Sequence, residues 1–335
     1  MRDPESIGTI TAVPGIRVGQ AQRIGDGWLS GVSVILPDAG TVAGVDVRGG
    51  GPGTHETDAL DPRTLVQTID ALVLTGGSAF GLVTAHGVQR WCAEHGVGFR
   101  VGPEPDAIVP IVPAAAIFDL GRGGDFGAYP TIEMGYAAAA AAAATEPFTP
   151  IERGNVGAGT GAAISRGRYK GGVGSAALRL PAPNEHIVVG AIAVVNAAGA
   201  PWDASFDVSD LVAPPPGPPA PEAGGELPAL NTTIAAVATN AILDPAEASR
   251  TATAAHDGMA RALNPVHTLA DGDTIFALAT GKEALFGNDR HTRVGSLFAL
   301  HAYAAEAIRL AINDGIASAT PVSTPAVTLA RFGGN

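Results

Sequence analysis

The sequence predicts a single layered α/β or α+β domain with helices outside the sheet. Three observations predict it. Short apolar runs rich in Val and Ile alternate along the chain with longer segments of helical spacing. Hydrophobic residues make up 46% of the 335 residues and charged residues 16%, so a sizeable buried core is expected. The stretch after residue 231 has too few strand-like runs to close a core alone, so the chain reads as one fold interrupted by an exposed loop.

Each element has its own signal. Gly8–Val13, Gly31–Leu36 and Thr41–Val47 read as short strands. Arg48–Thr54, with four glycines and a proline, is a loop. Ala71–Thr75 is a buried strand that runs into Gly76-Gly77-Ser78-Ala79-Phe80-Gly81. A helix then extends to about Glu94, with Leu82, Val83, Val88 and Trp91 spaced for one apolar face. Pro110 and Pro113 make Ile108–Pro113 an edge strand or a broken one. Alanine propensity makes Thr131–Ala144 a helix. Ile187–Val195 is a long central strand. Residues 212–230, dense in Pro and Gly, form a linker or long loop. Beyond it, Ile234–Thr239 is a strand. A helix runs from an Asp244 cap, with Pro245 at N1 and Glu247 at N3, to Leu263. Thr274–Ala279 is a strand and Val294–Asn313 the last helix. No internal repeat is present.

The formal net charge of −12 argues against nucleic acid or an anionic membrane as partner. The single cysteine, Cys92, excludes an intrachain disulfide and a Cys-based zinc site, and reads as a small buried hydrophobe on a helix. The first residues lack a signal-peptide pattern, and the alanine run Ala137–Ala144 is too short to span a bilayer. A soluble cytoplasmic protein is expected. Gly157-Ala158-Gly159-Thr160-Gly161-Ala162 loosely matches a dinucleotide loop, but the glycine-interrupted residues after Ala162 do not open a helix. No cofactor is expected, and these glycines read as close backbone approach to an active centre.

The chemistry centres on Asn231-Thr232-Thr233, placed between the Pro/Gly-rich stretch and an apolar run. A chain can cut itself there by attack of the Thr232 hydroxyl on the Asn231 carbonyl. Thr232 would then carry a nucleophile and a free α-amine on one residue. Such an amine, with a reference pKa near ~7.7, accepts a proton at neutral pH. The plain alternative is a loop leading into a strand. Asp271 and Asp273 flank Gly272, and could orient the new ammonium group and the nucleophile hydroxyl, with like charges this close pushing the pKa of one upward. The alternatives are a polar turn before a strand or, less favoured for want of clustered histidines, a metal pair. Asn196 ends the central strand and could donate to a developing oxyanion, or simply form a turn. Lys170, one of only two lysines and close to the glycine segment, is a candidate catalytic residue, with a solvated surface lysine as the plain alternative. Ser78 does not sit in a nucleophile elbow, because Phe80 replaces the second glycine. Helix-cap amides lining a pocket suit that segment better.

Several segments together resemble the P1 peptidase family. This group contains the L-aminopeptidase/D-amidase-esterases, the β-aminopeptidases and the 6-aminohexanoate-oligomer endohydrolases. The matching segments are Pro14–Gly19, Asp46–Thr54, Leu74–Leu82, Val109–Pro113, Gly154–Ala162, Asn231–Ile234, His256–Ala262 and Asp271–Ala277. They span nearly the whole chain in order. The resemblance implies a four-layer αββα sandwich of the N-terminal-nucleophile type. It also implies self-cleavage between Asn231 and Thr232 into an α chain (1–231) and a β chain (232–335), and an oligomer of αβ units. Carried over by position, Thr232 is the nucleophile, Asn196 the oxyanion-side asparagine, and Asp271 and Asp273 the paired acids. The nylon-oligomer branch has a catalytic lysine soon after the Gly-Ala-Gly segment. The ungapped position here is Arg166, which does not exchange a proton at neutral pH, and the nearest lysine is Lys170. That branch also has a tyrosine where Phe80 stands. The expectation is a cofactor-free, metal-free amidohydrolase or peptidase acting on small peptides or peptide-like amides. Acyl transfer of the ornithine acetyltransferase type, nylon-oligomer endo-amidase activity and an uncut binding protein are the alternatives.

Overall fold

Alternate side chains of the strands sort into three buried apolar clusters, and these clusters define the layers. The computed structural model describes residues 6–202 and 231–333. Among them are strands β1 (Ile16–Gly25), β2 (Trp28–Pro37), β3 (Val42–Val47), β4 (Thr54–His55) and β5 (Leu72–Thr75). Further along are β6 (Ala114–Ala116), β7 (Gly172–Arg179), β8 (Val188–Asn196), β9 (Thr232–Ala241) and β10 (Thr274–Glu283). They form two five-stranded sheets, in the orders β1-β2-β5-β6-β4 and β7-β8-β9-β10-β3. In the second sheet β9 runs parallel to β10 and antiparallel to β8.

Ile192 and Val194 of β8, Ile234 and Ala236 of β9, and Phe276 and Leu278 of β10 point between the sheets, where they meet Ile35, Leu72 and Leu74. Their neighbours Ala193, Val195, Ala235, Val237, Ile275 and Ala277 point the other way. There they pack on α3 (Pro245–Ala262) and α4 (Arg290–Ser318) through Ala255, Met259, Leu300 and Ile308. The outer face of the first sheet, with Val32, Val34 and Val73, is covered by α1 (Thr84–Glu94) and α2 (Ile132–Ala144). The period-2 pattern of each strand thus produces a helix–sheet–sheet–helix stack, the four-layer αββα sandwich.

Local signals set the helix ends. Asp244 and Glu247 form the expected reciprocal capping box at the start of α3, with Pro245 inside it. Asp289 caps α4 with Thr292, so that helix starts before Val294 and continues past Asn313. Thr131 caps α2 by accepting the Met134 N–H at 3.3 Å.

One expectation needs correction. Gly8–Val13 is not a strand: Ile10–Ala12 forms a 3-10 turn. Ile10 and Val13, three residues apart, both enter the core between the sheets, and the Ile10 N–H donates to Ser175 Oγ at 2.8 Å. β1 and β7 are strands that the residue pattern does not announce. Polar residues and a glycine break the apolar pattern of β1, and two glycines break that of β7. The 212–230 linker lies outside the described residues. Cys92 is buried as expected, and burial pushes its thiol up to about 12, where it is inert. Among the described residues no helix is long and apolar enough to cross a membrane.

The outer helices of the second sheet touch at backbone distance. A Cβ at Gly258 of α3 would lie 1.8 Å from the Ala305 carbonyl oxygen of α4. Gly258→Ala is therefore predicted to destabilise the fold by about 1–3 kcal/mol, measured by denaturant unfolding in a Thr232→Ala background.

Candidate active site

The register of β9 assembles the site. Thr232, the first residue of β9, stands opposite Asn196, the last of β8. Register partners on antiparallel strands share a face. The alternation from Ile234 and Val194 puts both side chains on the face between the sheets. On the other side, the parallel pairing of Ile234 with Thr274 brings Gly272 level with Thr232. The approach is close: a Cβ at Gly272 would lie 2.8 Å from Thr232 Oγ1 and 2.9 Å from the Gly51 carbonyl oxygen. Only glycine fits there.

The bond between Asn231 and Thr232 is held from both sides. The Asn231 carbonyl oxygen accepts from the Thr232 hydroxyl at 2.5 Å and from the Gly272 N–H at 3.1 Å. Both residues are buried. The loop predicted over 48–54 braces the turn that carries Gly272. Gly51 N–H donates to the Asp271 carbonyl at 2.8 Å, and Arg48 N–H to the Asp273 carbonyl at 2.9 Å.

The two acids hold backbone. Asp271 Oδ2 accepts the Thr268 N–H at 2.7 Å. Asp273 Oδ1 accepts the Thr233 N–H at 2.8 Å, one residue beyond Thr232. Its Oδ2 accepts the His267 N–H at 2.9 Å and His267 Nδ1 at 2.8 Å. Burial first, then the charge of Asp273, push the Asp271 carboxyl up to about 6. In the intact chain neither carboxylate hydrogen-bonds the Thr232 hydroxyl, whose partner among the described residues is the Asn231 carbonyl.

Asn196 is fully buried. Its Oδ1 accepts from Arg122 Nη1 at 2.6 Å and from the Ala163 N–H at 3.0 Å, while Nδ2 donates to the Phe118 carbonyl at 3.3 Å. Those contacts fix which way the amide group points. Lys170 is also fully buried, under the glycine segment. Its Nζ donates to the Gly159, Ala162 and Gly171 carbonyls at 2.7, 2.9 and 2.6 Å. Burial and then the Arg122 cation push its pKa well below the ordinary lysine value, while three carbonyl acceptors match the three N–H bonds of an ammonium. Lys170 thus meets backbone carbonyls and touches Thr232 through no hydrogen bond. Arg166 lies in a left-handed turn, at φ 57°, between the short strands Ala163–Ile164 and Tyr169–Lys170. The glycine segment runs into the short strand Ala163–Ile164 and opens no α-helix, as its sequence indicates.

Asp119, Arg122 and His267 belong to this region and carry no motif. Asp119 is buried and receives Ser30 Oγ at 2.8 Å and the Gly77 N–H at 2.7 Å; burial raises its pKa. It thereby ties down the Gly76–Gly81 segment. That segment lines a cavity of about 390 Å³ together with His55, Leu82, Val83, His86 and Tyr129. The Phe80 and Tyr129 rings stack at 5.2 Å along its wall. The cavity adjoins the 48–54 loop, since β4 pairs with β6 and the Ala116 N–H donates to the Gly53 carbonyl at 2.9 Å.

Fold and geometry together define a four-layer αββα domain with buried polar residues gathered at the start of β9. The sequence model of peptidase family S58 matches residues 8–328, and the chain belongs to that family of aminopeptidases and amidases. An uncharacterized aminopeptidase of Mycobacterium tuberculosis is 42% identical over 342 residues, covering 94% of this chain and 95% of the relative. A 6-aminohexanoate-oligomer endohydrolase of Paenarthrobacter ureafaciens is 30% identical over 289 residues, covering 80% of this chain and 73% of that enzyme. Two solved structures share the fold. A Burkholderia sp. β-aminopeptidase superposes with a TM-score of 0.75 at 24% identity, over 99% of this chain and 93% of its own. The L-aminopeptidase D-Ala-esterase/amidase of Ochrobactrum anthropi, described as a variant of the Ntn hydrolase fold, gives 0.71 at 19% identity, over 99% and 93%.

The raised Asp271 pKa has a sign. The folded state holds the extra proton between about pH 4 and 6, so this carboxyl's contribution to stability is lost as pH rises through that window. Asp271→Asn keeps an acceptor for the Thr268 N–H and removes the charge. In a Thr232→Ala background it is predicted to be more stable than its parent by about 1–2 kcal/mol above pH 6 and about equal near pH 4, by denaturant unfolding at both pH values.

Proposed function

We propose that the chain cuts itself between Asn231 and Thr232 and then uses Thr232 as an N-terminal nucleophile against amide bonds of small peptides or peptide-like amides. One observation carries this reading: the Thr232 hydroxyl and the Gly272 N–H converge on the Asn231 carbonyl. In the precursor, Thr232 Oγ1 attacks the Asn231 carbonyl carbon. The Gly272 N–H stabilises the oxyanion. The hydroxyl proton passes to the departing amide nitrogen, leaving an ester that water opens. The products are an α chain of residues 1–231 and a β chain of residues 232–335.

In the mature enzyme the new α-amine accepts the Thr232 hydroxyl proton as the oxygen attacks a substrate carbonyl. The resulting ammonium gives that proton to the leaving amine. Water then resolves the acyl-enzyme by the same base. Asn196 Nδ2, on the same sheet face as Thr232, supplies a donor toward the oxyanion. Asp273 anchors the Thr233 N–H and so the amine-bearing end of β9, and Asp271 adds negative charge beside it. Lys170 keeps the glycine segment in place under Asn196. The cavity beside Phe80 and Tyr129 suits an apolar or aromatic substrate group. The missing phenol at Phe80 and Arg166 at the ungapped lysine position favour peptide-like amides over nylon oligomers. Composition and the family resemblance extend the reading to a cytoplasmic oligomer of αβ units.

Thr232→Ala is predicted to remain one polypeptide and to lose amide hydrolysis by at least about 10³-fold, whereas Thr232→Ser still cuts and hydrolyses. A Thr232→Ala chain that hydrolyses amides would rule out this nucleophile. Asn196→Ala is expected to lower kcat by about 10²–10³-fold with a much smaller change in KM, measured on a chromogenic amino-acid amide.

A further inference from the structure

We propose that His267 is a positioning residue: it locks the Asp273 carboxylate so that β9 presents Thr232 in the geometry needed for self-cleavage. The proposal rests on the reading of Thr232 given above and adds a residue that no motif marks. Three donors hold Asp273, namely the Thr233 N–H, the His267 N–H and His267 Nδ1. Two of the three come from His267. An ionised carboxylate only accepts, so His267 Nδ1 carries the hydrogen. To donate with both backbone and ring, His267 adopts a left-handed backbone at φ 58°, which a non-glycine residue rarely takes.

The ring is itself supported from α3. It meets the His256 ring edge-on at 4.8 Å. His256 is fully buried, and its Nε2 lies 3.0 Å from the Asp46 carbonyl of β3. A carbonyl only accepts, so His256 donates from Nε2. Burial is the first cause that pushes the His256 pKa down, to about 4, so it is neutral in the working range. A continuous line of contacts therefore runs from β3 through His256 and His267 to Asp273, Thr233 and the bond to be cut. Thr233 Oγ1, His256 Nδ1 and His267 Nε2 are buried along it without a hydrogen-bond partner among the described residues. Buried polar atoms left unpaired cost stability. Their concentration behind Thr232 fits a cluster held for its function.

The charged and titratable groups that face this cluster are Asp273, Asp271 across Gly272, His256 from α3, and Asp46 and Arg48 from β3 and the loop after it.

The test compares His267→Gly with His267→Asn. Both residues accept a positive φ, and only Asn restores a side-chain donor. Precursor decay is followed on denaturing gels, with circular dichroism to confirm folding. His267→Gly is expected to slow self-cleavage at least about tenfold. His267→Asn is expected to recover most of the rate. If His267→Gly does not fold, His267→Asp, which tolerates the same φ and brings no side-chain N–H, takes its place, and a His267→Asp that cuts more slowly than His267→Asn supports the proposal. A folded His267→Asn that does not cut overturns it. A wild type that cuts while His267→Gly cuts equally fast, or variants that are equally slow, would overturn this proposal alone. A wild type that stays whole would overturn the Thr232 reading together with it.

Discussion

The parallel pairing of β9 with β10 is the constraint on which the rest of the site depends. It brings the Gly272 N–H to the Asn231 carbonyl while antiparallel pairing with β8 places Asn196 across from Thr232. A slip of one residue would turn Thr232 to the helix side and put Thr233 in its place. Register is pinned by burial: Ile234, Ala236 and Ala238 must face the other sheet, and Ala235 and Val237 must face α3 and α4. The apolar core thus does more than stabilise the sandwich. It decides which hydroxyl meets the carbonyl.

Small residues make the close approaches possible. Gly272 leaves room for the Thr232 side chain, and Gly258 lets α3 and α4 touch behind the same sheet. Polar groups are then brought into the buried interior, where each needs a partner. Lys170 finds three carbonyls, Asp119 finds Ser30 and Gly77, and Asp273 finds Thr233 and His267. Asp271 finds the Thr268 N–H, and burial first, then the neighbouring Asp273 charge, push its carboxyl up to about 6.

Much of this was legible in the residues. Asn231-Thr232 stands out because a Pro/Gly-rich stretch gives way there to an apolar run. Asp244, Pro245 and Glu247 announce their helix because a capping box is local. The central strand at 188–196 and its terminal asparagine come from a continuous apolar run. The family resemblance added the sandwich and linked Asn196, Asp271 and Asp273 to Thr232. Other parts lie beyond local pattern. β1 and β7 are disguised by glycine and polar residues, whose places are set by the helices packed against them. Arg122 reaches Asn196 across 74 residues of sequence, a contact that only the folded sheet creates. His267 sits in an irregular loop, and its bond to Asp273 depends on a left-handed turn that its own residue type does not demand.

The central claim is that this geometry breaks the chain at one bond. The most direct measurement is the intact mass of freshly purified wild-type protein, joined to N-terminal sequencing of its fragments. The account predicts two polypeptides whose masses sum to the precursor plus one water, the smaller beginning Thr232-Thr233-Ile234. A catalytically active preparation consisting of one unbroken chain, or a cut at any other bond, would contradict it.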